Sequence, residues 1–189
     1  MKMKKNSVLN MTYAAFLIAL GIVIPMVMPV RIVIGPASYT LASHVPVMLA
    51  MFVSPLVAVL VALGTAFGFF MTAPFIIGMR ALSHVIFAFF GALYLQKRPS
   101  IVYSPKKMIM FNIVLGLVHA LFETLIVTFF FMTDGLGEAS YTMGFFQSVI
   151  VLVGVGGFVH SLIDFSIAYM IAQKIGTRFS FPVYLAAKK

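Results

Sequence analysis

Apolar residues run along this chain in blocks longer than a soluble helix needs, and polar residues fall in short gaps between them. The first block spans 8–30, with Pro29 near its close, and a loop carrying Arg31, Gly35, Pro36 and Ser38 follows. A stretch from Tyr39 to Met71 comes next and is punctuated by Ser54-Pro55. Thr72-Ala73-Pro74 then breaks the chain before a run over 75–95. A basic gap, Gln96 to Lys107, leads into 108–132. The last run, ending near Ala172, comes after a gap holding Asp134, Gly135, Gly137 and Glu138. About 20 apolar residues suffice for a helix to cross a bilayer, so the pattern predicts an all-α membrane protein, a compact bundle of transmembrane helices in a single domain over 1–189.

Charge decides how many helices there are. Lys2, Lys4 and Lys5 open the chain; Lys97, Arg98, Lys106 and Lys107 occupy the middle gap; Lys174, Arg178, Lys188 and Lys189 close it. Cytoplasmic loops carry such an excess of Lys and Arg. One helix over 39–71 would put the middle cluster opposite the other two, whereas two helices turning at Ser54-Pro55 put all three on one side. Six spans are therefore expected, at about 8–30, 39–53, 55–71, 75–95, 108–132 and 146–172, in the cell membrane with both termini cytoplasmic.

Composition agrees with lipid as the solvent. Hydrophobic residues make up 62% of the chain and charged residues only 9%, where a soluble domain carries about 25%. The net charge of +9 is accounted for by the three loop clusters, so no nucleic-acid partner is expected. No cysteine is present, which excludes disulfides and thiolate metal sites. The first apolar run lacks a small-residue cleavage site and is expected to stay as a helix rather than leave as a signal peptide.

The few ionisable residues inside the runs carry the chemistry, since charges in hydrocarbon are costly and face a cavity or a partner. Arg80 and His84, His119 and Glu123, and His160 and Asp164 are pairs four apart, each on one face of its helix. Counting about 1.5 Å per residue puts Arg80, His84 and Glu123 together in the outer half of the membrane. The same count sets His160 and Asp164 deeper, in a network of their own, and leaves His44 near the outer face. One cation, several imidazoles and a carboxylate, with Tyr39 and Tyr141 close by, suit a small flat molecule bearing an anionic group. Arg80 would hold a carboxylate through its planar fork. Each residue also has a plainer reading: Arg80 snorkelling to the surface, Glu123 as its counter-ion, the histidines satisfied within the bundle, and Asp164 paired with His160. Two small-residue motifs, Ala15-x-x-x-Ala19 and Gly64-x-x-x-Gly68, serve helix packing or partner docking.

With its six spans, basic start, Ala15/Ala19 pair and the stretch Ala42-Ser43-His44-Val45-Pro46-Val47-Met48-Leu49-Ala50-Met51-Phe52-Val53-Ser54-Pro55, the chain resembles the S components of energy-coupling factor (ECF) transporters. With Arg80-Ala81-Leu82-Ser83-His84 it resembles the niacin-specific group most. The resemblance implies a membrane subunit that captures a vitamin outside, topples in the bilayer, and releases it on a T component with two ABC-type ATPases. It implies a ligand site at Arg80, His84, His119, Glu123, Tyr39, Tyr141 and His160, docking through Ala15 and Ala19, and no cofactor, metal or catalysis. No GxxxxGK[ST] phosphate loop is present, so ATP hydrolysis falls to other chains. Alternatives are the same fold importing riboflavin, pantothenate or a pyrimidine or thiamine precursor, an ion-coupled carrier acting alone, a purely structural membrane protein, and an intramembrane metal-dependent enzyme built on the His/Glu/Asp cluster. Against the last, HExxH is absent and Arg80 would repel a cation.

Overall fold

In a computed structural model, which describes residues 2–188, the chain is mostly helical. Helix α1 (Lys2–Val27) leads into a β-hairpin, β1 (Arg31–Ile34) and β2 (Ala37–Thr40). Then come α2 (Val45–Ala50), α3 (Pro55–Thr72), α4 (Phe75–Lys97), a 3-10 turn (Pro99–Tyr103) and α5 (Pro105–Met132). The last run holds α6 (Glu138–Phe145), a π-helical stretch (Phe146–Gly156) and α7 (Gly157–Ile175), and a short α8 (Pro182–Ala186) closes the chain. Five helical segments are long and apolar enough to cross a membrane: Val8–Val27, Pro55–Thr72, Phe75–Lys97, Pro105–Met132 and Glu138–Ile175. The surface matches, with Phe67, Phe90, Leu117, Phe129 and Phe146 pointing outward. The chain is thus a multi-pass membrane protein.

The segment expected as a helix over 39–53 takes another form. The β-branched run Ile32-Val33-Ile34 pairs antiparallel with Ala37–Thr40 across Gly35-Pro36, so that Ile32 faces Tyr39 in the register. Gly35 sits at φ 54°, a conformation glycine adopts without steric cost. Tyr39 therefore belongs to a strand, and the helix that follows has only six residues, about 9 Å of rise. Turns extend it at both ends. Its far end lies at the basic side, where Gln96 Nε2 donates to the Val53 carbonyl (3.0 Å) and the Val183 amide to that of Phe52 (3.4 Å). The next helix starts on a local signal: the Ser54 hydroxyl accepts from the Val57 amide (3.1 Å), and Pro55 opens the helix, where its missing N–H is no loss.

The small-residue motifs separate in the structure. A Cβ at Gly64 would meet Ile18 and one at Gly68 would meet Ile22, so these glycines seat α3 against α1. Ala15 and Ala19, by contrast, are exposed on α1. The main apolar core, with Phe52, Phe87, Phe165, Leu95 and Tyr184, fills the basic half of the bundle. A smaller one under the hairpin joins Ala37, Val127, Val149 and Val153. The buried ionisable residues lie between the two.

Candidate functional site

Four elements deliver one continuous polar cluster. Arg80 and His84 come from α4, His119 and Glu123 from α5, His160 and Asp164 from α7, and His44 from the turn that opens α2. All are buried. Arg80 Nη2 donates to Glu123 Oε2 (3.0 Å) and Nη1 to the Pro36 carbonyl (2.8 Å), while its Nε–H has no partner among the described residues. Glu123 Oε1 lies 3.2 Å from His84 Nε2 and 3.5 Å from His119 Nε2, and those two nitrogens are 3.2 Å apart. The Phe87 ring lies against both His84 and His119. The structure thus brings together Arg80, His84 and Glu123, which the depth count grouped, and adds His119 from the face of α5 that it shares with Glu123.

His44 corrects the depth estimate. Its ring packs edge-on against His84 (4.7 Å), His119 (4.7 Å) and His160 (4.9 Å), so it sits in the middle of the cluster and not near the outer face. Asp164 is likewise joined to the cluster, and its main partner is His44 rather than His160. Its Oδ2 accepts from His44 Nδ1 (3.0 Å) and from the His44 amide (2.9 Å), and its Oδ1 accepts from the Ala42 amide (2.8 Å); His160 Nε2 stands off at 3.6 Å. The reason lies in the turn. Ala42 adopts φ 65°, an unfavourable angle for a residue with a Cβ, and Asp164 ties down the two amides that this turn exposes. Pro46 at the helix start marks that His44 stands outside α2, and this was the available sequence signal. The Ser43 hydroxyl (3.3 Å from His160 Nε2) and the Pro36 carbonyl complete the polar wall and carry no sequence signature.

The tyrosines diverge. Tyr39 lies edge-on to His160 (5.7 Å), and its hydroxyl donates to the Leu152 carbonyl in the π-helical stretch. That hydroxyl occupies the space a Cβ at Gly156 would fill, so the glycine admits the hairpin. Tyr141 is taken up elsewhere: its hydroxyl receives the Leu136 amide (3.1 Å) and its ring packs on Phe131 (4.9 Å). It braces the α5–α6 loop through the Leu136 amide, and the Leu136 side chain packs on the smaller core beneath.

A cavity of about 30 Å³ lies among Ser38, Thr40, His44, Arg80, His84 and Glu123, which is room for about one water molecule. Two larger spaces adjoin it under the hairpin. One of about 270 Å³ shares Ser38, Thr40 and Phe69 with it, and one of about 450 Å³ shares Ser38 and Ile77.

Comparison with known proteins identifies a relative. The chain is 45% identical over 186 residues to the niacin transporter NiaX of Lactococcus lactis subsp. cremoris (strain MG1363), covering 98% of this chain and 82% of that protein. No family model and no solved structure matches the chain.

Proposed function

This chain belongs to the family of the niacin transporter NiaX, and from that premise we propose that it is the substrate-binding membrane subunit of an ATP-driven importer, with nicotinate as its ligand. The observation that carries the site is Arg80. It is a buried guanidinium with an unpartnered Nε–H, at a cavity walled by imidazoles, and a guanidinium suits a planar carboxylate. Nicotinate's carboxylate takes that donor, His84, His119 and Glu123 form the polar wall, and Tyr39 and His160 flank the ring. Tyr141 supports the loop above without touching the ligand. The inner cavity is too small for a pyridine carboxylate, so binding draws on the two spaces that meet it at Ser38, by movement of the hairpin.

The remaining parts follow the same reading. On this reading residues 41–54 make a sixth pass from the hairpin to the basic end, and both termini and the Lys97–Lys107 loop face the cytoplasm, as the excess of Lys and Arg there supports. The exposed Ala15 and Ala19 form a flat face for an ECF T component, which two ABC-type ATPases drive. The chain itself catalyses nothing.

Titration calorimetry on the detergent-solubilised protein tests the ligand. A hydrogen bond to a charged group contributes about 1.5–3 kcal/mol, so Arg80→Ala should weaken nicotinate binding about ten- to hundredfold and affect the neutral nicotinamide far less. Arg80→Lys should recover only part of the loss, a point charge replacing a two-pronged donor. Tight binding of riboflavin, pantothenate or a thiamine precursor in place of nicotinate would overturn the niacin assignment.

A further inference from the structure

Three ligand-type atoms at the centre of the cluster stand in a near-equilateral triangle. His84 Nε2 to His119 Nε2 is 3.2 Å, His84 Nε2 to Glu123 Oε1 is 3.2 Å, and His119 Nε2 to Glu123 Oε1 is 3.5 Å. Hydrogen bonds alone cannot satisfy it. Each nitrogen either donates or accepts, so one of the three edges lacks a hydrogen in every combination of tautomers. A cation satisfies all three lone pairs at once. Bonds of about 2.0–2.1 Å in tetrahedral geometry set neighbouring ligand atoms about 3.3 Å apart, close to the spacing observed.

We propose that His84, His119 and Glu123, with His44 on the open side, bind one divalent transition-metal ion of the zinc, cobalt or nickel type. A ligand atom of His44 lies within 4.8 Å of those of the other three. With its Nδ1–H held by Asp164, the lone pair of the His44 ring stands on Nε2. This is the carboxylate–histidine arrangement that orients metal-ligating imidazoles. Asp164 is itself fixed by two backbone amides. Nitrogen and oxygen donors in this mixture suit the later divalent metals rather than calcium or magnesium.

Charge supplies a second, independent argument, and this one rests on the nicotinate reading. Metal-binding imidazoles are neutral. Arg80 then brings one positive charge to the cluster, and Glu123 and Asp164 one negative charge each. Nicotinate would add a further negative charge and leave the buried site doubly negative, which a low-dielectric interior penalises heavily. One divalent cation makes the filled site neutral. The expectation that Arg80 repels a metal counts that charge without its partner, for the guanidinium is already paired with Glu123 through Oε2. With four protein ligands in place, the pyridine nitrogen of the vitamin would enter as a fifth donor, taking the ion from four- to five-coordinate.

The test uses full-length protein in detergent, stripped with a chelator, then titrated with Co²⁺ alone. The expected result is one Co²⁺ per chain, with the visible absorption of a four- or five-coordinate nitrogen and oxygen site, displaced by Zn²⁺. His119→Ala, with its elution on size exclusion compared with wild type as the folding control, should lose it. Nicotinate should shift the bands, and stripped protein should bind radiolabelled nicotinate about tenfold or more weakly than Zn²⁺-loaded protein. If Co²⁺ keeps the spectrum of the aqueous ion and stripped protein binds nicotinate at full affinity with proton uptake, the metal proposal is overturned and the vitamin reading stands. If Co²⁺ gives the expected spectrum while neither form binds nicotinate, the metal site stands and the vitamin reading falls.

Discussion

Asp164 shows how one side chain can fix both a backbone and a site. Its carboxylate accepts from two amides and one imidazole, tying α7 to the turn before α2. Removing one partner of a buried pair costs about 3–5 kcal/mol, so Asp164→Ala should lower the unfolding temperature of the detergent-solubilised protein markedly. It should also release His44 and weaken ligand binding. The strained neighbour gives a prediction of opposite sign. Left-handed backbone costs a residue with a Cβ about 1–2 kcal/mol, more than the roughly 0.4–1 kcal/mol that glycine's freedom in the unfolded chain costs. Ala42→Gly should therefore raise the melting temperature slightly and keep affinity, since the contact to Asp164 is through the amide.

Among the helices, close approach is set by what the glycines lack. Gly68 leaves room for Ile22 where α3 crosses α1; Gly68→Leu should overpack that crossing and cost about 1–3 kcal/mol, read as a lower midpoint in thermal unfolding. The long helices were legible because apolar runs, Ser54-Pro55 and Thr72-Ala73-Pro74 are local signals. Arg80, His84 and Glu123 were legible as a group because rise per residue constrains depth within a straight helix, and His119 shares a helix face with Glu123 through i,i+4 spacing. The same count failed at His44, where it assumed a helix starting at Tyr39, although β1 and β2 had already taken those residues. Three β-branched residues after Arg31 are too short a run to declare a strand by pattern, and only pairing with Ala37–Thr40 reveals it. The π-helical stretch, dense in Val and Gly, has no separate signature either, because its wider turn is fixed by α5 and Tyr39 packed against it.

For the molecule as a whole, the basic middle loop lies at one end and the hairpin, with Arg31, at the other. Single cysteines at Ser100 and Gly137 should accordingly react from opposite faces of oriented vesicles, Gly137 from outside; labelling of both from one face would exclude the six-pass reading. Replacing Ala15 and Ala19 together with leucine should abolish uptake in cells while leaving binding by the isolated subunit close to wild type. Those side chains are exposed on the helix surface, so bulk there disturbs an external contact and not the bundle. Parallel loss of binding and uptake would instead assign the pair to internal packing.

The 30 Å³ inner chamber also sets a time course. A ligand larger than its compartment waits on opening, so association should run well below the encounter limit. Its observed rate in stopped-flow should level off with rising nicotinate instead of climbing in proportion. The measured affinity is then the intrinsic one diminished by the fraction of molecules standing open. A substitution that merely unlatches the hairpin, without touching the vitamin, would make capture faster with release unchanged, and so tighten the measured affinity.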